Sequence, residues 1–67
     1  MNIILPTPKG AVVINLTKTN AVDLREECIV VLFTSEKSSN LTFQYEDKEA
    51  ASKAFSIFTT NIEHSFL

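Results

Sequence analysis

The chain carries few residues able to do covalent or metal chemistry, and their spacing is unhelpful to that chemistry. It has one cysteine, Cys28, and one histidine, His64, so no intrachain disulfide is possible and a closed zinc site lacks its usual soft ligands. Cys28 lies directly after Glu26 and Glu27, whereas a nucleophilic thiolate needs electropositive surroundings. It reads as a small hydrophobe at the start of a strand. His64 sits near the end of a predicted helix, where a cation meets the negative end of the dipole, and has no Asp or Cys partner at local ligand spacing.

The acidic groups fall into two clusters, Asp23, Glu26 and Glu27, then Glu46, Asp47 and Glu49. Neither matches a calcium loop, and both lack the turn glycine such a loop needs. A solvated turn and a helix start explain them. With Gly10 the sole glycine, no glycine-rich phosphate loop exists. Asn15-Leu16-Thr17 and Asn40-Leu41-Thr42 match the glycosylation sequon but fall on predicted strands, and no secretory leader is expected in Met1 to Pro6. Catalytic, metal and cofactor sites are therefore not expected, and the chain reads as a non-enzyme.

The elements that would position these residues follow from periodicity. Cys28 to Thr34 is a β-branched-rich, mostly apolar run of strand length, with Ile29, Val31 and Phe33 on one face and Cys28, Val30 and Leu32 on the other. Both faces are apolar, as in a strand covered on both sides. Residues 11–17 predict another strand, with Val12, Ile14 and Leu16 on one face. Residues 21–25 alternate more weakly, and Glu26-Glu27 form a two-residue turn although neither residue favours positive φ. Residues 35–39 read as a polar hairpin loop. In the strand that follows, Leu41, Phe43 and Tyr45 face inward while Asn40, Thr42 and Gln44 face water.

A helix then opens with Asp47 as N-cap. Ala51, Phe55, Phe58 and Ile62 form its core stripe, which Ala50, Ala54 and Ile57 widen. The run Thr59-Thr60-Asn61 predicts an end between Asn61 and Glu63, followed by the apolar Phe66-Leu67. Residues 1–10, with Pro6 and Pro8, read as an extended N-terminal arm. The expected architecture is a single α+β domain over residues 1–67. It is a small antiparallel meander of three to four strands with one C-terminal helix packed across one face, meeting Ile14, Ile29, Val31, Phe33, Leu41 and Phe43.

Size and composition bound the function. A chain of 67 residues buries only about 60% of its unfolded surface and usually needs a staple. Yet it is 45% hydrophobic, with a mean hydropathy of +0.11, leaving more apolar surface than one small core absorbs. With disulfide and metal excluded, oligomerisation is the remaining staple, and a dimer is the favoured form. The expected interface combines the outer-face residues Val13, Cys28, Val30 and Leu32 with the arm residues Ile3, Ile4 and Leu5. The alternative cover for that face is the arm alone.

A net charge of −2 gives no electrostatic footprint for duplex nucleic acid or anionic membrane, and no apolar run is long enough to span a bilayer. A cytoplasmic home is expected. These readings converge on a small, self-associating protein-interaction module of the inhibitor, adaptor or regulatory-subunit kind, with an unidentified protein partner. A binder of single-stranded nucleic acid or a nucleotide-like ligand at a subunit interface is the runner-up, with Lys9 and Lys18 near a polar sheet face.

Overall fold

The computed structural model describes residues 1–34 and 40–65. The predicted 35–39 loop and the Phe66-Leu67 tail lie outside the described residues. Strand β1 (Asn2–Thr7) pairs antiparallel with β2 (Gly10–Asn15) as a separate two-stranded sheet. A turn of 3-10 helix (Leu16–Lys18) leads into β3 (Thr19–Arg25), β4 (Cys28–Phe33) and β5 (Asn40–Gln44). These three form an antiparallel meander with β4 in the centre, and α1 (Lys48–Ser65) follows. The α+β order of strands first and one helix last is present. Among the described residues the strands number five and divide between two sheets.

The expected arm is a paired strand. Ile3 lies opposite Ile14 and Leu5 opposite Val12, so one face of the β1–β2 hairpin gathers four aliphatic side chains. Ile3 and Leu5 are fully buried, at 2% and 0% exposure, in the same core as Ile29, Val31 and Phe58. The arm therefore does not fold over Val30 and Leu32; it fills the inner side of the molecule. Pro6 is compatible with a strand here because of the ladder's phase. The Leu16 N–H donates to the Met1 carbonyl at 2.9 Å, which places the hydrogen-bonded pairs at Ile3/Ile14, Leu5/Val12 and Thr7/Gly10. Pro6 falls between them, and its nitrogen faces away from β2, where no ladder bond is lost.

Local chemistry sets the breaks. In the β1–β2 turn the Thr7 hydroxyl donates to the Gly10 carbonyl, and the Lys9 N–H donates to Thr7 Oγ1. Gly10 has φ +121°, a region other residues avoid, although a Cβ there would meet nothing within 4 Å. The requirement is conformational, not steric. The strand predicted to reach Thr17 stops at Asn15, whose Oδ1 accepts from the Thr17 N–H at 3.0 Å and caps the 3-10 turn.

In the meander, Val30 sits between Asp23 and Thr42, while Val31 sits between Val22 and Leu41. The inner row Ile29, Val31 and Phe33 faces the core as predicted. Helix α1 is capped by Asp47, whose Oδ1 accepts from the Ala50 N–H at 2.8 Å. Ala51, Ala54 and Phe58 are buried, and Ala50, Phe55 and Ile62 pack against the same core.

Two expectations about the helix are corrected. It runs to Ser65, past the predicted end at Asn61 to Glu63, because tertiary contacts override weak propensity: Ile62 packs on the core and Asn61 Nδ2 donates to the Ile4 carbonyl at 3.1 Å. Its most extensive contacts are with β1, not the middle of the meander. Leu41, expected beneath it, is 49% exposed, and Ile57 is 41% exposed.

Glu26, first of the two residues between β3 and β4, has φ +49°, while Glu27 does not have positive φ. A glycine is normally found at such a position, and a side chain there costs about 1–2 kcal/mol. Glu26→Gly should therefore raise stability by about 0.5–1 kcal/mol once the unfolded-state entropy of glycine is subtracted. Chemical denaturation will show this as a higher midpoint at an unchanged slope. Phe58 is the largest fully buried side chain. Phe58→Ala should cost about 3–5 kcal/mol, comparable to the whole stability of so small a fold; a wild-type melting curve for that variant would contradict the packing described.

Candidate interaction surface

The residues able to do chemistry are not brought together. Cys28 is half-buried on the outer face of the meander, with Sγ 2.9 Å from Gln44 Oε1. His64 is exposed in the last turn of α1. Asp23 pairs with Arg25 at 3.3 Å on the surface, the carboxylate being 44% exposed and the guanidinium 64%. Among the described residues, no group of three His, Cys, Asp or Glu side chains is placed to hold a metal ion.

The outer face of the meander is less apolar than the β4 sequence suggests. Hydrogen-bond register puts Arg25 and Gln44 beside Cys28, Asp23 and Thr42 beside Val30, and Ala21 and Asn40 beside Leu32. The apolar column is one strand wide and bordered mainly by polar side chains, which leave Val30 only 8% exposed. Val13 does not belong to this face at all, since β2 is in the other sheet. The continuous patch expected from Val13, Cys28, Val30 and Leu32 is thus divided, and Ile3 and Leu5 are withdrawn from any surface by the core they fill.

Among the described residues, the two most exposed large apolar side chains lie on the outer face of the β1–β2 hairpin, while Met1, Leu24, Leu41 and Ile57 are exposed elsewhere. Ile4 and Val13 stand directly opposite each other, 51% and 61% exposed. They form a non-hydrogen-bonded pair, the closer of the two antiparallel geometries, with Cα atoms about 4.5 Å apart. Pro6 is the next outward residue on β1, opposite Ala11. Beyond Pro6 the surface dips into an open groove of about 300 Å³ between the hairpin turn and α1, lined by Pro6, Pro8, Tyr45, Ala50, Ala54 and Ile57. Lys53 and Glu46 also line it, so the groove carries one charge of each sign. Of the interface residues named from sequence, Ile4 and Val13 share this surface. Ile57, expected to widen the core stripe, lies at this groove instead; the signal for the surface is the Pro8-Lys9 two-residue turn, which sets the β1–β2 register and so opposes Ile4 and Val13.

Tyr45 anchors the groove. Its hydroxyl donates to the Pro6 carbonyl, joining the end of the meander to the open edge of β1. The ring is buried, and burial pushes the phenol above its ordinary value. No aromatic side chain among the described residues is exposed: Tyr45 and Phe58 are buried, and Phe33, Phe43 and Phe55 pack half-buried against the core. A base-stacking platform is thus not formed by these rings. No helix among the described residues is long and apolar enough to cross a membrane.

No protein-family model, curated protein or solved structure matches this chain.

The Tyr45 bond makes stability depend on pH. Because the folded-state value is raised, the contribution is fully present below the unfolded-state value of about 10 and falls as pH rises through the folded-state value, since the unfolded chain loses the proton first. Tyr45→Phe should cost about 1 kcal/mol at neutral pH, or about 4–8 °C in Tm, and should flatten the alkaline decline. Thermal melts of both proteins between neutral and strongly alkaline pH will compare the two slopes.

Proposed function

We propose that this protein is a small, non-enzymatic, self-associating interaction module acting as an inhibitor, adaptor or regulatory subunit. The observation that supports it best is the exposed Ile4–Val13 pair on the outer face of the hairpin, with the Pro6-to-Ile57 groove beside it. Large aliphatic side chains standing together on a small surface lower the free energy of association when another surface excludes water from them. One such residue alone would be ordinary; a directly opposed pair beside an apolar groove is an interaction surface. The dispersed Cys28 and His64 give no competing catalytic reading.

The reading is tested by sedimentation velocity and native mass spectrometry from micromolar to millimolar protein, on wild type and on Ile4→Lys. Wild type should form a discrete dimer. Ile4→Lys replaces an apolar side chain of that surface with a charged one and should weaken the dimer at least about tenfold, equivalent to about 1.4 kcal/mol, with unchanged circular dichroism. A wild-type protein that stays monomeric throughout that range would overturn the self-association.

A further inference from the structure

The strand edges of this molecule are not equivalent. The open edge of β1 is closed by other parts of the chain: Tyr45 donates to the Pro6 carbonyl and Asn61 to the Ile4 carbonyl. The β3 edge strand carries the charged pair Asp23 and Arg25 and has a register shift between Thr19 and Ala21. At the β5 edge, the Thr7-Pro8-Lys9 turn shares a hollow with Thr42, Phe43 and Gln44. Charge, irregularity and obstruction are the usual protections of sheet edges.

The β2 edge has none of these. Its sequence, Gly-Ala-Val-Val-Ile-Asn, contains no charge and no proline. The ladder phase set by the Leu16-to-Met1 bond turns the N–H and C=O groups of Ala11 and Val13 away from β1. Both residues are exposed, and no hydrogen bond among the described residues reaches those outward groups. The Asn15 carbonyl, next in the same phase, accepts from the Thr19 hydroxyl at 2.8 Å and keeps its second lone pair for a further donor. Alternating free donors and acceptors on a neutral strand are matched by an identical strand running antiparallel, with no charge to repel it.

We infer that β2 pairs edge to edge with β2 of a second copy of this chain, about a two-fold axis at Val13, giving a continuous four-stranded sheet in the order β1-β2-β2-β1. The inference rests on the self-association proposed above and names its geometry. At the axis, each Val13 exchanges two backbone hydrogen bonds with its symmetry mate. Ala11 lies opposite Asn15, and Val12 opposite Ile14, so the inner aliphatic row continues from one copy to the other. On the outer face the two Ile4–Val13 pairs merge into one strip four side chains wide. The unsatisfied edge is closed by this operation, and the two Val13 side chains are brought side by side across the axis, while the strip as a whole still faces outward.

Val13→Pro isolates the backbone contribution. It removes the outward N–H and retains an apolar side chain, and Pro6 already shows that proline fits this hairpin where the nitrogen faces outward. Wild type should be a dimer. Val13→Pro should weaken it about a hundredfold, and Val13→Lys, which opposes two ammonium groups at the axis, should weaken it at least as much. In wild type, the amides of Ala11 and Val13 should exchange with deuterium more slowly as protein concentration rises. This readout stands even if the proline variant does not fold. A dimer that survives both substitutions, with Ala11 and Val13 amides exchanging freely at dimer concentrations, would overturn edge pairing while leaving self-association intact. A wild-type monomer would overturn both.

Discussion

The structure depends on the insertion of Ile3 and Leu5 into the core. A meander of three short strands has two exposed faces and too little area to bury either with a single helix. The β1–β2 hairpin supplies the missing apolar face. Its inner row of Ile3, Leu5, Val12 and Ile14 shares a core with Ile29, Val31 and Phe58. Withdrawing β1 would leave α1 without its principal neighbour, Tyr45 without the Pro6 carbonyl and Asn61 without that of Ile4. The first strand and the last helix therefore hold each other in place, and the meander provides the surface on which both rest.

This mutual support explains the distribution of exposed apolar residues. The helix is drawn towards β1, so the parts of the meander farthest from it are left less covered, which is where Leu41 lies. On the helix itself, the side turned from the core leaves Ile57 at the groove. Among the described residues, no other element covers the outer side of the hairpin, since the core lies on its inner side and the Tyr45 and Asn61 bonds lie along its β1 edge. Ile4 and Val13 are exposed as a geometric consequence of Ile3, Leu5, Val12 and Ile14 being buried, since adjacent residues in a strand face opposite ways.

Alternation made much of this legible. The inner and outer rows of β4, the Asp47 cap and the Ala51–Phe58 stripe were all readable from spacing, because each depends on neighbours within a few residues. The pairing of β1 was not. Ile3-Ile4-Leu5 is a continuous apolar run without alternation, and Pro6 argues against a strand unless the ladder phase is known. That phase is a property of two strands together. The same non-local dependence hid the interaction surface: Ile4 and Val13 were both named as interface residues from sequence, but their being directly opposed required the register. The outer face of β4 was judged from one strand alone, whereas the polar Asp23, Thr42, Arg25 and Gln44 beside it come from two others.

The two bonds that close the β1 edge span 39 and 57 positions of the chain. On a ribosome, the β1–β2 hairpin emerges before the groups that shield β1, and its turn can close locally in the meantime. Throughout that interval the nascent hairpin has both edges open and its aliphatic face uncovered. Neighbouring ribosomes on one message hold several such hairpins close together, so the order of synthesis gives chaperones and sister chains access to a strand that the finished molecule conceals.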